Sequence, residues 1–242
     1  MELTAQATER FGQLYAELLG ELDWSLLEGH YCEGDSAGFF GAEAIDALAD
    51  ASLKFAGDLL ENLPAGGRSL YVGAGVAELA LILAESLLLG REVRAVRLED
   101  LETDELNRAL AAVEASAGQG VRLPRFSTEL LVDLVLEPCD HLWFVSVATD
   151  PQAFPALHAL AYNRHRPPRR AIEADREAAL GLMEDALARL DPRAQVRTSE
   201  EERELLGAAA EHLGRGLKWE DTGRLSPIVG DVVRTGRLRP LH

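Results

Sequence analysis

Residues 68–84, RSLYVGAGVAELALILA, constrain this chain more than any other stretch. A short apolar run reaches a Gly-x-Gly turn and continues as an apolar segment with helical spacing, the pattern of a buried strand feeding straight into a helix. Gly73 and Gly75 suit such a turn, because glycine takes it without steric cost and lets a ligand come close to the backbone. The first helical N–H groups after Gly75 are then expected to meet an anion or a ligand hydroxyl. The same turn also serves packing alone. A dinucleotide-binding fingerprint places its third glycine three residues after the second, and Glu78 stands there; counted as Gly-x-Gly-x-Gly, the third place falls on Ala77.

The 242 residues, 47% of them hydrophobic, suffice for one α/β domain with additions. The expected organisation is an N-terminal helix and lid loop over 1–41, followed by an α/β domain over 42–242. Cys32 and Cys139 lie far apart without C-x-x-C spacing, which gives neither a disulfide framework nor a zinc site. Cys139-Asp140-His141 are adjacent on an extended segment and cannot all converge on one ion, so no metal is expected. The chain starts Met-Glu without a basic stretch, and its longest apolar run, 79–89, is broken by Glu85 and Ser86. A cytoplasmic protein without a membrane span is the expectation.

The net charge is −17, and the acid excess lies in the first two thirds of the chain. Such a balance speaks against wrapping a nucleic acid, since phosphate binding needs clustered Lys and Arg. The basic run 163–170, NRHRPPRR, reads as a solvated turn or a loop that binds phosphate or RNA.

Leu3, Ala7, Phe11, Leu14, Leu18 and Leu22 recur at three- and four-residue steps and predict an amphipathic helix, a lid or a packing helix. Residues 28–41, with four glycines and aromatic content, read as an ordered loop able to fold over a ligand, with His30 and Tyr31 as its polar candidates. A helix over 42–63 ends at Pro64, and a second strand is expected over 92–98. Thr103, with Asp104 and Glu105 behind it, reads as the cap of a helix running to Gly118. A third strand is expected over 121–126, a short helix over 128–136, and a fourth, continuously apolar strand over 141–148 that pairs beside the first. Asp150-Pro151 reads as a helix start with Asp150 as cap. A helix over 171–190, a strand over 194–198, and a helix opened by the capping box Ser199 and Glu202 follow. Two strands around SPIVGD finish the chain.

Strand and helix alternating five times, a glycine turn after the first strand and a terminal strand pair resemble the class I S-adenosylmethionine-dependent methyltransferases over residues 42–238. The resemblance implies a Rossmann-like, seven-stranded, mostly parallel sheet with helices on both faces and the last strand antiparallel. The cofactor is then implied at the C-terminal ends of the first strands, held by Gly73, Ala74, Gly75, Glu99 and Ser146. Tyr71 stands where the family has an acid two residues before the first glycine, Ala77 replaces its third glycine, and Arg97 aligns with its ribose-binding acid, leaving Glu99 as the substitute. Ser146 to Pro151 occupies the substrate-facing position, with Tyr31, Thr149 and Asp150 as candidates. Methyl transfer from S-adenosylmethionine to a small molecule or protein group is the implied activity; the alternative is a non-catalytic binding or dimerisation module, such as a homodimer. No catalytic residue is assigned by spacing.

Overall fold

The structure, a computed structural model, describes residues 5–31, 39–96, 100–118, 121–127, 131–133, 137–225 and 230–241. Its helices are α1 (Ala5–Glu21), α2 (Trp24–Tyr31), α3 (Ala42–Asn62), α4 (Leu79–Leu87), α5 (Asp100–Ser116), α6 (Pro155–Ala161), α7 (Arg169–Ala188) and α8 (Arg203–His212). The strands are β1 (Arg68–Val72), β2 (Glu92–Val96), β3 (Phe126–Ser127), β4 (Cys139–Phe144), β5 (Leu190–Ser199), β6 (Arg215–Leu225) and β7 (Val232–Pro240). Among the described residues these seven form one sheet in the order β3-β2-β1-β4-β5-β7-β6. β1 pairs parallel with β4, β2 with β3, and β4 with β5, whereas β7 runs antiparallel to both β5 and β6. This is the α/β, Rossmann-like sheet that the resemblance implied, with its last strand reversed.

The chain divides into two compact units, Met1–Arg68 with Ala74–Thr128, and Ser69–Gly73 with Glu129–His242. In the first, α1 packs on α4 and α5, and α3 packs on α4. The α1 face that faces inward carries Phe11, Leu14, Tyr15 and Leu18, the residues its three- and four-step spacing places on one stripe. Seven consecutive α4 residues, Leu79 to Glu85, are buried, as expected of a helix that is apolar all round. Glu85 is tolerated there because its carboxylate meets Arg91 at 3.0 Å, both side chains wholly buried. Arg91 also donates to the carbonyls of Pro64, Gly66 and Arg68.

The second unit holds β1, β4, β5, β6 and β7 with α6, α7 and α8, α7 packing on α6 and α8. Tyr71 and Trp143, paired in register on β1 and β4, stack with centroids 5.9 Å apart, and Tyr71 meets the His141 ring edge-on at 5.8 Å.

Several boundaries depart from the sequence expectation. α2 occupies 24–31, into the expected glycine loop, and residues 32–38 of that loop lie outside the described residues. α5 starts at Asp100, so Thr103 is a buried residue inside the helix and not its cap. The third strand shrinks to Phe126–Ser127: Pro124 has no N–H for a ladder, and the Leu123 N–H is taken by Glu114 at 3.0 Å. In the expected helix over 128–136 the structure shows a short 3-10 turn, Leu131–Asp133. β4 ends at Phe144 and not at Ala148, because the backbone turns at Ser146 to a φ of 59°. α6 begins at Pro155, four residues after Pro151, with residues 151–153 in a turn. β5 is longer than expected, running from Leu190 through Pro192 past a register shift against β4 between Cys139 and His141.

Candidate functional site

The glycine turn follows β1. Gly73 adopts a φ of 68°, and a Cβ there would lie 2.8 Å from Val147 Cγ2. Glycine at 73 is therefore demanded by backbone conformation and by packing against the segment after β4. Gly75, with φ −134° and ψ −152°, is in extended backbone that any residue adopts. Its N–H donates to the Glu78 carboxylate at 2.8 Å, and a 3-10 turn, Val76–Glu78, precedes α4. The Gly75 N–H is thus met by the protein's own carboxylate; of the N–H groups after Gly75, that of Glu78 donates to the Gly75 carbonyl at 3.2 Å. Ala74 is buried, and Tyr71, at the place of the family's acid, is fully buried among aromatic rings.

The segment after β4 is held by one buried side chain. Glu202 stands at the start of α8 with 1% of its surface exposed. Its Oε1 accepts the Ala148 N–H at 2.5 Å; its Oε2 accepts the Ser146 N–H at 2.9 Å, the Thr198 hydroxyl at 3.1 Å, and the Ser199 hydroxyl and N–H at 2.8 and 3.3 Å. Burial pushes this carboxyl up to about 7, against the pull of those donors toward its charged form. Ser146 takes its left-handed conformation inside this grip, and its hydroxyl donates to Asp231 at 2.8 Å. The Tyr162 hydroxyl donates to the same Asp231 oxygen at 2.6 Å, and burial first, then that hydrogen bond, raises the phenol.

Thr149 is 6% exposed, and its Oγ1 has no hydrogen-bond partner among the described residues, although it lies near enough to the Tyr162 hydroxyl to temper that phenol's shift. The Thr149 carbonyl accepts from His158 Nδ1 at 2.8 Å, which fixes the ring's proton on that nitrogen. Asp150 Oδ1 accepts the N–H groups of Gln152 and Ala153 at 2.9 and 2.8 Å, so it caps the turn before α6. A cavity of about 310 Å³ opens against this segment, lined by Thr149, by Leu157 and Leu160 of α6, and by Glu201 and Leu205 at the start of α8. Burial first, then Asp231 and Glu200, raise the Glu201 carboxyl.

Of the residues expected at a site, Ser146, Thr149 and Asp150 come together on this one segment, and Gly73 meets it through Val147. Glu99 and Arg97 lie outside the described residues; Tyr31 ends α2, with its side chain likewise outside. Glu202, Asp231 and Tyr162 were missed as site residues. Glu202 carried a signal, since the capping box at Ser199 made it a backbone acceptor. Asp231 and Tyr162, 69 residues apart, carried none that a local pattern reads.

No protein-family model matches the chain, and no curated protein matches it in sequence. Among solved structures it is similar to a transferase from Pyrococcus horikoshii, with 13% identity and a TM-score of 0.48, over 78% of this chain and 64% of that one. It is similar to TrmN from Thermus thermophilus, with 21% identity and a TM-score of 0.46, over 82% of this chain and 49% of that one. M. jannaschii TYW2 in complex with AdoMet shares 12% identity at a TM-score of 0.47, over 78% and 76% of the two chains. The chain thus spans less than two thirds of the first two proteins. By its own strand order and its single reversed strand, this chain has the Rossmann-like fold of class I methyltransferases.

Proposed function

We propose that the protein binds S-adenosylmethionine and transfers its methyl group to a small molecule or a protein group. The observation that carries this reading is the sheet order 3-2-1-4-5-7-6 with β7 alone reversed and a glycine turn at the C-terminal end of β1, where open α/β sheets take their ligands. The turn also fits the cofactor's charge. A phosphate-binding turn keeps its amides for the anion, whereas here Glu78 places a carboxylate on the Gly75 N–H. That arrangement disfavours a pyrophosphate and suits the ammonium and sulfonium cations of S-adenosylmethionine. The residues proposed to hold it are Gly73, Ala74 and Gly75. When bound, the cofactor supplies an electrophilic methyl carbon; the protein's part is to position the reactants.

A second reading, a non-catalytic binding or dimerisation module, is favoured by Tyr71, which puts a buried ring where the family has an acid. Equilibrium dialysis with labelled S-adenosylmethionine separates the two. Binding that Gly75→Val abolishes without unfolding the protein supports the first reading, since valine can adopt the Gly75 backbone. Absence of binding at millimolar cofactor refutes it in favour of the second.

A further inference from the structure

β6 and β7 carry a row of cations with nothing beside it to neutralise it. Arg237 and Arg239 lie two residues apart on β7, so their side chains leave the same face of the sheet, and Lys218 of β6 stands directly opposite Arg237. Like charges facing each other across a strand pair are destabilising. Yet all three are exposed, and among the described residues none of them forms an ion pair. The other face of these strands is the covered one: Leu238, between the two arginines, is buried. A leucine ends the row. Leu241 Cδ2 and Arg239 Nε lie 3.1 and 3.3 Å from the place a Cβ of Gly216 would take, so both side chains cross β6 on the cationic face.

The outer side of α3 has the opposite pattern. Glu43, Asp46, Asp50 and Leu53 follow at steps of three and four residues, which places them on one stripe of the helix, away from the buried Leu48, Ser52, Phe55 and Ala56. All four are exposed, and none of the three acids forms an ion pair among the described residues; Lys54, one turn beyond Asp50, is exposed and pairs with none of them. The two rows match in charge, order and length. Three acids and then a leucine occupy about 15 Å of helix; three cations and then a leucine occupy about 14 Å of strand. Leu53 and Leu241, 39% and 48% exposed, leave a large apolar side chain in water at the end of each row.

We propose that the acidic stripe of α3 docks on the cationic face of β6 and β7 in a second copy of this chain, with Leu53 against Leu241, Asp50 at Arg239, and Asp46 and Glu43 at Arg237 and Lys218. The contact joins two different surfaces, so it is heterologous, and repetition closes it into a ring or extends it into a chain. It is small and polar, hence weak and transient, and its complementary charges fix partner and register. A nucleic-acid strand is the poorer occupant, because the aromatic ring of these strands, Trp219, lies on the other face against Gly236 and offers bases no platform. The proposal is independent of the cofactor reading.

Sedimentation velocity of the full chain tests it, over roughly 5–500 μM protein, the range of weak contacts. The buffer holds about 0.1 M NaCl, where a Debye length of about 10 Å screens the overall negative charge but not pairs in contact. The weight-average sedimentation coefficient of the wild type is expected to rise with concentration. Lys218→Glu with Arg237→Glu, and separately Asp46→Lys with Asp50→Lys, should each weaken association by about tenfold or more. The chain with all four substitutions keeps the net charge of −17, since two reversals of each sign cancel. It should associate again, within about threefold of the wild type, because only surfaces that meet each other compensate in this way. All four sites are exposed, and circular dichroism checks that each variant is folded. A wild type that stays monomeric throughout, reversed variants that associate as the wild type does, or a quadruple variant that stays monomeric overturns the proposal. A monomeric wild type that instead binds single-stranded RNA or anionic lipid vesicles through Lys218 and Arg237 overturns it as well, in favour of that occupant. Cofactor dialysis on the same variants reports on the methyltransferase reading, so either can fail without the other.

Discussion

Glu202 is the residue on which the segment after β4 depends. Five donors converge on its two oxygens, three of them backbone N–H groups. Its removal leaves them buried without an acceptor, each at a cost of about 1–3 kcal/mol. Glu202→Ala is therefore expected to lower stability by at least about 3 kcal/mol, read as a midpoint drop of roughly 6–12 °C. A drop of a degree or two would show that the segment does not rely on this carboxylate. The pH dependence has a definite sign. The folded carboxyl titrates near 7 and the unfolded one near 4.5, so the folded state holds the proton more tightly between these values. The stabilisation linked to that proton is fully present below 4.5, shrinks as pH rises, and is gone above about 7, a total of about 3 kcal/mol, while the five hydrogen bonds to the carboxylate persist. Glu105 and Glu114, whose pKa values are lowered mainly by Arg108 and by the Leu123 N–H, respectively, have the opposite effect: their stabilisation is present above the unfolded value and lost only below it. Between pH 5.5 and 7.5 the melting midpoint should fall with rising pH, and Glu202→Gln should flatten that slope; an unchanged slope in the variant contradicts the assignment. The two glycines of the turn should also separate. Gly73→Ala meets Val147 and holds alanine at positive φ, which costs roughly 1–2 kcal/mol from the backbone alone. Gly75, in extended backbone, carries no such conformational cost, so Gly75→Ala should lower the melting midpoint less than Gly73→Ala does.

At the scale of elements, Arg91 ties the end of α3, the start of β1 and the end of α4 together through three carbonyls and Glu85. Arg91→Met strands the Glu85 carboxylate in the core and should cost about 3–5 kcal/mol in denaturant unfolding, whereas Glu85→Gln with Arg91→Met together should recover part of it. α1 invites a similar test. It is a packing helix: four of its side chains are buried, Arg10 donates to the Ala117 carbonyl at 3.0 Å, and Glu105 accepts the Asp23 N–H at 2.6 Å. Deleting residues 1–41 should therefore impair folding before it impairs any binding, seen as loss of a cooperative melt. A folded truncation would restore the lid. The elements themselves were largely legible, since α1, α3, β1 and β2 follow from apolar spacing and glycine or proline ends. Their boundaries were not legible where a side chain far along the chain decides them. β4 ends early because Glu202 and Asp231, 56 and 85 residues beyond Ser146, hold the turned backbone, and Thr103 is drawn into α5 although its type suits a cap.

At the scale of the molecule, a seven-stranded, mostly parallel sheet with its last strand reversed came from the resemblance, and the place of β4 beside β1 from its continuous apolar run; the sheet has both. The candidate site was legible only in part: Ser146, Thr149 and Asp150 do share one segment, but Asp150 is spent on capping a turn, and Glu202 and Tyr162 enter through the tertiary fold. The central claim is that this sheet and its glycine turn bind S-adenosylmethionine. A thermal melt with S-adenosylhomocysteine tests it without a methyl acceptor. A ligand present at a hundred times its dissociation constant adds about 2.7 kcal/mol, and each kcal/mol moves the midpoint of a chain this size by roughly 2–4 °C. A rise of about 5–10 °C that Gly75→Val removes is expected. No rise at millimolar ligand, or a rise that survives Gly75→Val, contradicts the claim.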